Sequence, residues 1–217
     1  MKHIVKGTEP ARFTQWKHMI NEDWQPDWDD CPSDIKGAVL EALIREQGSI
    51  CCYCSMAIDG GHSHVEHLKP RKWERNPATF SDLQFAYENL LASCGRRDIA
   101  GEPRHCGKAK ENWYDEHRFV SPLDPTCERR FLYAADGGIF PAARDDIAAE
   151  TTIPRLALGI DKLRAMRKGA LDGALDGIEN MTSAEIRAEI ERYRTRDPDG
   201  SFAPFCVAIV QVLSALV

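Results

Sequence analysis

Four cysteines in the centre of the chain have the chemistry of a metal site. Cys51 and Cys54 are separated by two residues, a spacing that lets two thiolates bind one ion. Cys94 and Cys106 lie further along the chain and could supply two more ligands. Structural zinc is typically bound by four such soft ligands, which leave no open coordination position on the ion. The sequence therefore predicts a zinc site on these four residues, and the alternative is that some of them are buried free thiols.

A second kind of chemistry is suggested by Glu66 and His67, which are adjacent in the sequence. A neutral imidazole can take a proton from water near pH 7. A carboxylate can hold a hard divalent cation such as Mg²⁺ or Mn²⁺. Hydrolysis of a phosphodiester requires both functions, a base and a metal ion. An isolated Glu-His pair is more often a surface feature, so the prediction depends on the motifs around it.

The order of those motifs resembles the HNH endonucleases. The pieces are "CCYC", "VEHLKP", "ENLLASC" and "HCGKAK". The flanking stretches "IKGAVLEALIREQGSICCYC", "FVSPLDPTCERRFLYAADGGI" and "TTIPRLALGIDKLRAMRK" resemble, more narrowly, the PtuB group of HNH nucleases from Septu-type anti-phage systems. The resemblance covers most of the chain. It implies a ββα-metal core, DNA as substrate, a catalytic divalent metal, and an ABC-type ATPase partner of the PtuA type.

The resemblance also implies roles for individual residues. His67 matches the general base, and Glu66 matches the first ligand of the catalytic metal, where Asp or His is commoner. Asn89 matches the middle Asn of the family, which ties the hairpin loop to the backbone and fixes the base in place. At a strand end, where the chain bends, Glu66 and His67 are both expected to reach one site.

The last metal ligand of the family has no direct counterpart. The positions at which it is expected are Gly107, which cannot ligate, and Glu111. We favour Glu111, and His105 and Asn112 are the alternatives nearby. Lys110 would not ligate as an ammonium ion, so we expect it to contact phosphate.

A basic stretch follows the Glu-His pair. Lys69, Arg71, Lys72 and Arg75 are suited to phosphate contacts, and Trp73 could stack on a base. The alternative is that Trp73 belongs to the core and the basic side chains are solvated.

The elements that must position these residues are short in the centre of the chain. "SICCYC", "HSHVEHL" and "NLLASC" predict strands, "HCGKAKENWYDEH" predicts a short helix, and an inserted loop is expected over "GRRDIAGEPRH". In the N-terminal part, "ARFTQWKHMINEDW" predicts a helix, and a second helix is expected to start with Ser33 as N-cap and to stop at Gly48. We expect an N-terminal helical segment at 1–48, a nuclease core at 49–118 and a C-terminal helical region at 119–217.

The C-terminal region carries its own patterns. Gly169, Gly173 and Gly177 are spaced four apart, which predicts one helix face suited to a tight helix crossing or to a partner. Thr182 and Glu185 form a predicted capping box. Residues 202–217 are apolar on nearly all sides, which indicates that this last helix closes the helical shell or docks the ATPase.

Bulk properties limit the function classes. The chain has 217 residues and a formal net charge of −6, so a nucleic-acid site must be a local patch. The longest apolar run, "FCVAIVQVLSALV", is shorter than the roughly 20 residues of a membrane helix, and no signal peptide is visible. We therefore expect a cytoplasmic protein without membrane contact. In a reducing compartment free thiols are favoured over disulfides, and we expect buried thiols at three further positions: Cys31, Cys127 and Cys206.

Together these observations predict an α+β protein in which a small zinc-stapled ββα-metal core is embedded in a mainly α-helical shell. The favoured function is a metal-dependent DNA endonuclease that acts with an ATPase in anti-phage defence. One alternative is a zinc-knuckle module that binds nucleic acid without cleaving it, which the glycine at position 107 favours. The other is a stand-alone restriction-type HNH nuclease.

Overall fold

The computed structural model describes residues 1–76, 79–95 and 100–217. Helices and two small antiparallel sheets make up these residues, so the α+β class is confirmed. Part of the loop expected between Cys94 and Cys106 lies outside the described residues. In the described ranges, no helix combines the length and the apolar composition needed to cross a bilayer.

Two helices form the N-terminal part, α1 (Ala11–Lys17) and α2 (Ser33–Glu46). The first is shorter than predicted, because the chain turns back into a short bridge between Asn21 and Trp24. The expected N-cap at Ser33 is wrong by one position: Pro32 is the N-cap, and no side chain caps the first turn. The expected stop is confirmed, since α2 ends just before Gly48, which has a φ of 64°.

The centre of the chain holds a hairpin followed by a short helix. Strands β1 (Ser63–His67) and β2 (Leu90–Cys94) pair antiparallel, with Glu66 opposite Leu91, and helix α3 covers Gly107–Lys110. The strand predicted over "SICCYC" is wrong. The backbone carbonyl of Cys51 accepts a hydrogen bond from the Ser55 amide at 3.0 Å, and this bond closes a tight turn in place of a strand. A turn is what brings the two thiolates of a Cys-x-x-Cys pair to one side.

The C-terminal region contains a second hairpin and four helices. They are β3 (Phe131–Tyr133), β4 (Ile139–Pro141), α4 (Ile147–Arg155), α5 (Asp161–Leu175), α6 (Ser183–Arg194) and α7 (Cys206–Ser214). The capping box is confirmed, because the Thr182 hydroxyl accepts from the Glu185 amide and the Glu185 carboxylate accepts from the Thr182 amide.

The tight helix crossing predicted for the glycines of α5 is wrong. Gly169 and Gly173 are exposed, and a Cβ at either position would meet no atom within 4 Å. Gly177 lies beyond the end of α5, in a turn with a φ of 74°. Spacing places residues on one face, but it does not say whether that face meets another helix.

The core joins all parts of the chain. Phe13, Leu43, Leu90 and Phe131 are fully buried in one continuous cluster, so the N-terminal helices, the central hairpin and the C-terminal hairpin share one interior. A second cluster unites α5, α6 and α7, as expected for a last helix that closes the shell. Its buried members include Leu171, Ile186, Ile190, Ile209 and Leu213.

A connection between α6 and α7 fastens the C-terminal region to the centre. The Phe202 amide donates to the Gly48 carbonyl at 2.8 Å, and the Phe205 amide donates to the Ser55 carbonyl at 2.8 Å. We call residues 196–205 the strap, because Arg196 also donates to the carbonyl of Arg45 at 2.9 Å. The strap thus binds the backbone on both sides of the Cys51–Cys54 turn.

Candidate metal centre and active site

The four predicted zinc ligands meet in the structure. The sulfur atoms of Cys51, Cys54, Cys94 and Cys106 lie within 4.8 Å of one another, and all four side chains are buried. The sulfurs of Cys54 and Cys94 are 3.8 Å apart. This equals the edge of about 3.8 Å that a tetrahedron with Zn–S bonds of about 2.3 Å requires, and it is far from a disulfide bond of about 2.05 Å. The donor set therefore fits structural zinc.

Polar hydrogens surround this cluster. The Cys94 amide donates to the Cys51 sulfur at 3.4 Å. The Nδ1 atom of His105 lies 3.3 Å from the Cys106 sulfur and 3.5 Å from the Cys94 sulfur. The amide hydrogen bond stabilises a thiolate ligand, and the His105 ring does the same in the tautomer that carries its proton on Nδ1. His105, an alternative for the catalytic metal, thus lies against the sulfur cluster.

The charge state of the cluster also favours a cation. Burial raises the pKa of Cys106, and hydrogen bonding to Cys51 adds to the rise. Burial opposes ionisation of Cys51 as well, but hydrogen bonds from the surrounding sulfurs outweigh burial and hold its pKa well below the usual value. A thiolate in such a buried place requires a cation to neutralise its charge.

His67, the predicted base, is the last residue of β1 and is only 9% exposed. Its Nε2 atom lies 3.0 Å from the Gln84 carbonyl oxygen. Because a carbonyl only accepts hydrogen bonds, Nε2 carries the ring proton and Nδ1 carries the lone pair. Burial lowers the pKa of His67 to about 4, so the imidazole is neutral at pH 7. In this tautomer Nδ1 can accept a proton.

Asn89 fixes the backbone next to His67. Its side-chain oxygen accepts from the Lys69 amide at 2.8 Å, and its side-chain nitrogen donates to the carbonyls of Lys69 at 2.9 Å and Leu83 at 3.2 Å. These bonds join the residues that follow β1 to the residues that precede β2. The Asn89 side chain therefore holds the two ends of the hairpin loop together.

Glu66 is buried beside β2 and α3. One carboxylate oxygen, Oε1, lies 2.7 Å from Lys110 Nζ and accepts from the Tyr53 hydroxyl at 3.2 Å. The other, Oε2, lies 3.6 Å from His64 Nε2. Burial opposes ionisation, but the charge of Lys110 and the interaction with His64 outweigh it and lower the pKa of Glu66 to about 2. Glu66 is therefore an anion at neutral pH.

The two neighbours on β1 face different surroundings, as adjacent strand residues do. Glu66 shares its face with His64, whereas the His67 ring packs edge-on against Trp28, with ring centroids 4.8 Å apart. Lys110 connects the two sides, because its ammonium also donates to the His67 carbonyl at 3.0 Å.

Other expected site residues lie elsewhere. Lys110 is 2% exposed, so the phosphate contact expected for it is corrected to an internal ion pair with Glu66. Glu111, the favoured last ligand, has an exposed carboxylate that Arg104 contacts at 3.0 Å. Asn112 is exposed.

The basic stretch divides between surface and core. Lys72 is exposed, and Arg71 pairs with Asp29 at 3.2 Å. The Lys69 ammonium lies 5.5 Å from the centre of the Phe80 ring. Trp73 donates from its indole nitrogen to the Tyr114 carbonyl at 2.8 Å and packs against the core, which favours the core interpretation of this residue.

Sequence reasoning missed three contributors to the site, His64, Tyr53 and the Gln84 carbonyl. A signal was available for His64, since residues two apart on a strand share a face, and His64 is two residues before Glu66. No signal in the sequence indicates that a backbone carbonyl 17 residues away would fix the tautomer of His67.

No family model matches this chain. A protein of Vibrio cholerae serotype O1 biovar El Tor, named "Retron Vc95 putative HNH endonuclease", is 30% identical to it over 142 residues. The match covers 64% of this chain and 65% of that relative, so the chain spans less than two thirds of the relative's length. The similarity supports the HNH family. The relative's name mentions neither a Septu-type system nor an ATPase.

Proposed function

We propose that this protein is an HNH-type endonuclease that hydrolyses phosphodiester bonds in DNA with the help of a divalent metal ion. One observation carries the proposal: His67 is buried, neutral, and held by the Gln84 carbonyl in the tautomer that leaves Nδ1 as a proton acceptor. Its neighbour Glu66 is an ionised carboxylate on the same short strand. A base and an anionic ligand are the two groups that this hydrolysis needs; here their side chains leave opposite faces of the end of β1, and Lys110 contacts both residues.

Each residue of the site then has a role. His67 accepts the proton of the attacking water at Nδ1. Asn89 keeps the backbone after His67 in place, so that the ring does not turn away from the water. Glu66 offers an oxygen ligand to the cation, which, when bound, neutralises charge on the phosphate and on the leaving oxygen. Lys110 orients the Glu66 carboxylate and at the same time supports the His67 carbonyl.

The thiolate cluster has a structural role in this proposal. Cys94 ends β2 and Cys106 precedes α3, while the other two ligands belong to the turn before β1. A zinc ion on these residues joins the hairpin, the turn and the helix that carry Glu66, His67 and Lys110. Two five-residue strands and a four-residue helix bury too little surface to hold such an arrangement by packing alone.

The direct test is a plasmid-cleavage assay on purified, zinc-containing protein in a series of Mg²⁺, Mn²⁺ and Ni²⁺. We expect conversion of supercoiled plasmid to nicked or linear forms, and we expect EDTA to stop it. A zinc-knuckle binding module, the alternative from another class, would shift the plasmid in a gel but would not cut it in any of these metals. Binding without cleavage, also in the presence of the partner ATPase, would contradict the proposal.

We also propose, from the resemblance of the flanking stretches to the PtuB group, that the protein acts in anti-phage defence with an ABC-type ATPase. The test is co-expression with an ATPase from the same genomic neighbourhood, followed by affinity purification through the ATPase. Recovery of both chains in a defined ratio is expected. Full cleavage activity and full phage protection without the ATPase would instead favour the stand-alone restriction-type nuclease.

A further inference from the structure

The proposed cation has only one ligand among the residues assigned so far. The family resemblance expects a second ligand at position 107 or 111. Gly107 has no side chain, and the Glu111 carboxylate lies at the surface against Arg104. A carboxylate oxygen alone does not fix a divalent ion for catalysis, so another donor near Glu66 is needed.

His64 lies where such a donor is required. Its Nε2 atom is 3.6 Å from Glu66 Oε2, and its side chain is 23% exposed, whereas that of Glu66 is 8% exposed. Two atoms that each lie about 2.1 Å from one cation are about 3.0 Å apart at a right angle and about 4.2 Å apart when opposite. The observed separation of 3.6 Å falls between these limits.

The imidazole ring of His64 lacks, among the described residues, a hydrogen bond at its buried nitrogen. In the described part of the chain, its Nδ1 atom is buried and has no hydrogen-bond partner. A buried polar atom in this state costs free energy, so internal hydrogen bonding does not explain the position of this ring.

Gly107 leaves the room for an ion at this place. A Cβ added to it would collide with Glu66 Oε2 and would stand 2.9 Å from His64 Nε2. The φ of Gly107 is not positive, so its backbone conformation does not require glycine. What requires glycine is the approach of these two side chains, both of which offer a metal-binding atom.

Lys110 completes the arrangement without blocking it. Its ammonium binds Glu66 Oε1, on the side of the carboxylate away from the atom that faces His64. The carboxylate is thereby oriented with Oε2 directed toward the imidazole. The Tyr53 hydroxyl, which also donates to Oε1, reinforces this orientation.

The geometry points to a two-residue cation site formed by His64 Nε2 and Glu66 Oε2 above Gly107. This inference rests on the proposed nuclease function and deepens it, because His64 takes the place of the ligand that the resemblance expects at position 107 or 111. One nitrogen and one oxygen donor favour first-row transition metals over Mg²⁺, since imidazole is a poor ligand for Mg²⁺. The site is therefore expected to prefer transition metals such as Mn²⁺ or Ni²⁺ to Mg²⁺.

The test measures metal binding and needs no cleavage. Full-length, zinc-containing protein is titrated with Mn²⁺, with free Mn²⁺ followed by electron paramagnetic resonance. We expect saturable binding that a large excess of Mg²⁺ displaces poorly. His64→Ala should weaken Mn²⁺ binding at least about tenfold, and Gly107→Ala should weaken it by displacing the Glu66 carboxylate.

His62→Ala is the matched control, because His62 is an exposed histidine that pairs with Asp59 and is two residues before His64. It should bind Mn²⁺ like the wild type. Pulsed electron paramagnetic resonance of bound Mn²⁺ should show coupling to an imidazole nitrogen that persists in His62→Ala and in His67→Ala and disappears in His64→Ala. This signal identifies the ligand even if His64→Ala lowers stability.

The outcomes separate the inference from the function on which it rests. Wild-type Mn²⁺ affinity in His64→Ala together with lost affinity in Glu66→Gln would overturn the role of His64 and leave the nuclease proposal intact. Nitrogen coupling that disappears in His67→Ala instead would also overturn it. Both proposals fail if the wild type does not bind Mn²⁺, or if Glu66→Gln binds Mn²⁺ as tightly as the wild type.

Discussion

The His67 ring is held so that its two nitrogens differ. The Gln84 carbonyl occupies Nε2, and the edge-on contact with Trp28 limits rotation of the ring. In the proposed function this ring would act as base without rearrangement, because its tautomer is set before substrate arrives. The same burial keeps the ring neutral, so no deprotonation is needed at neutral pH.

Replacement of this ring tests its role directly. His67→Ala should lower the cleavage rate about 10²–10⁴-fold, because the water loses its proton acceptor. His117→Ala, a change at an exposed histidine, should cleave at the wild-type rate. The measurement is single-turnover plasmid nicking, with circular dichroism to verify folding. A His67→Ala variant that cuts as fast as the wild type would show that the base is another group.

The ion pair of Lys110 and Glu66 makes a second prediction at this scale. Both side chains are buried, so removal of one leaves the other charged and unpaired. Lys110→Met should lower the free energy of unfolding by about 3–5 kcal/mol. The double variant Lys110→Met with Glu66→Gln should recover most of that loss.

The control for this buried ion pair is an exposed ion pair. Arg192→Met, which breaks the surface pair with Glu189, should cost less than about 1 kcal/mol. Urea denaturation of all variants gives the comparison. Equal effects of Lys110→Met and Arg192→Met would mean that water reaches the Glu66 carboxylate in solution.

Among the elements, we expect the hairpin, the Cys51–Cys54 turn and α3 to depend on a zinc ion in the thiolate cluster for their arrangement. Cys94→Ser should abolish zinc binding and reduce the yield of soluble protein, because three thiolates hold the ion less tightly and the segments are small. Cys31→Ser, at a buried thiol outside the cluster, should retain the zinc. Metal analysis by mass spectrometry after gel filtration distinguishes the two. Full zinc content in Cys94→Ser would remove this residue from the site.

Helix α4 offers a pH test. Asp146 caps its N-terminus by accepting from the Ala149 amide at 2.9 Å, and it pairs with Arg130. The hydrogen bond from Arg130 lowers the pKa of Asp146 in the folded protein. The pair therefore stabilises the fold fully above the unfolded carboxyl pKa near 4, and this contribution is lost as pH falls through the lower folded pKa.

Asp146→Asn should thus be less stable than the wild type at pH 7, and the difference should shrink below about pH 4. Asp146→Ala should be less stable than Asp146→Asn at every pH, by about 0.5–2 kcal/mol, because alanine also removes the side-chain cap of the helix. Thermal melts between pH 7 and pH 3 measure both. A difference between wild type and Asp146→Asn that stays constant down to pH 3 would contradict the assigned pair.

The elements also show which information the sequence contains. The spacing of Cys51 and Cys54 and the order of the later motifs were enough to predict the sulfur cluster and the hairpin strands. The burial of Lys110 was not predictable, because it depends on how the tertiary fold brings the end of α3 to Glu66 and to the His67 carbonyl. The strand predicted at "SICCYC" failed because the apolar and cysteine pattern of a strand is the same as that of a turn that presents thiolates inward.

At the scale of the whole molecule, one interior connects the N-terminal helices, the central hairpin and the C-terminal hairpin. The strap binds Gly48 and Ser55, on either side of the Cys51–Cys54 turn, and α7 closes the second cluster. The C-terminal region therefore supports the centre of the chain through direct hydrogen bonds. This dependence could not be read from local patterns, since it joins residues about 150 positions apart.

Deletion of residues 202–217 should consequently yield insoluble protein or protein without zinc, because it exposes Leu171, Ile186 and Ile190 and removes the bonds to the turn. Deletion of residues 215–217 alone, where Leu216 and Val217 are exposed, should be tolerated. Solubility and zinc content report the outcome. A soluble, zinc-containing protein without residues 202–217 would show that the centre folds without this support.

The split of the thiolate cluster has a consequence for how the protein is made. Cys94 follows Cys54 in the chain by 40 residues. At about 5–20 residues per second, the first two thiols are incorporated roughly 2–8 seconds before the third. During this interval only two of the four ligands, Cys51 and Cys54, are present. Oxidants can then modify the two thiols, and a copper ion can bind them, since copper binds such ligands more tightly than zinc. Correct maturation therefore depends on the metal and redox supply of the cell while the chain is still being synthesised.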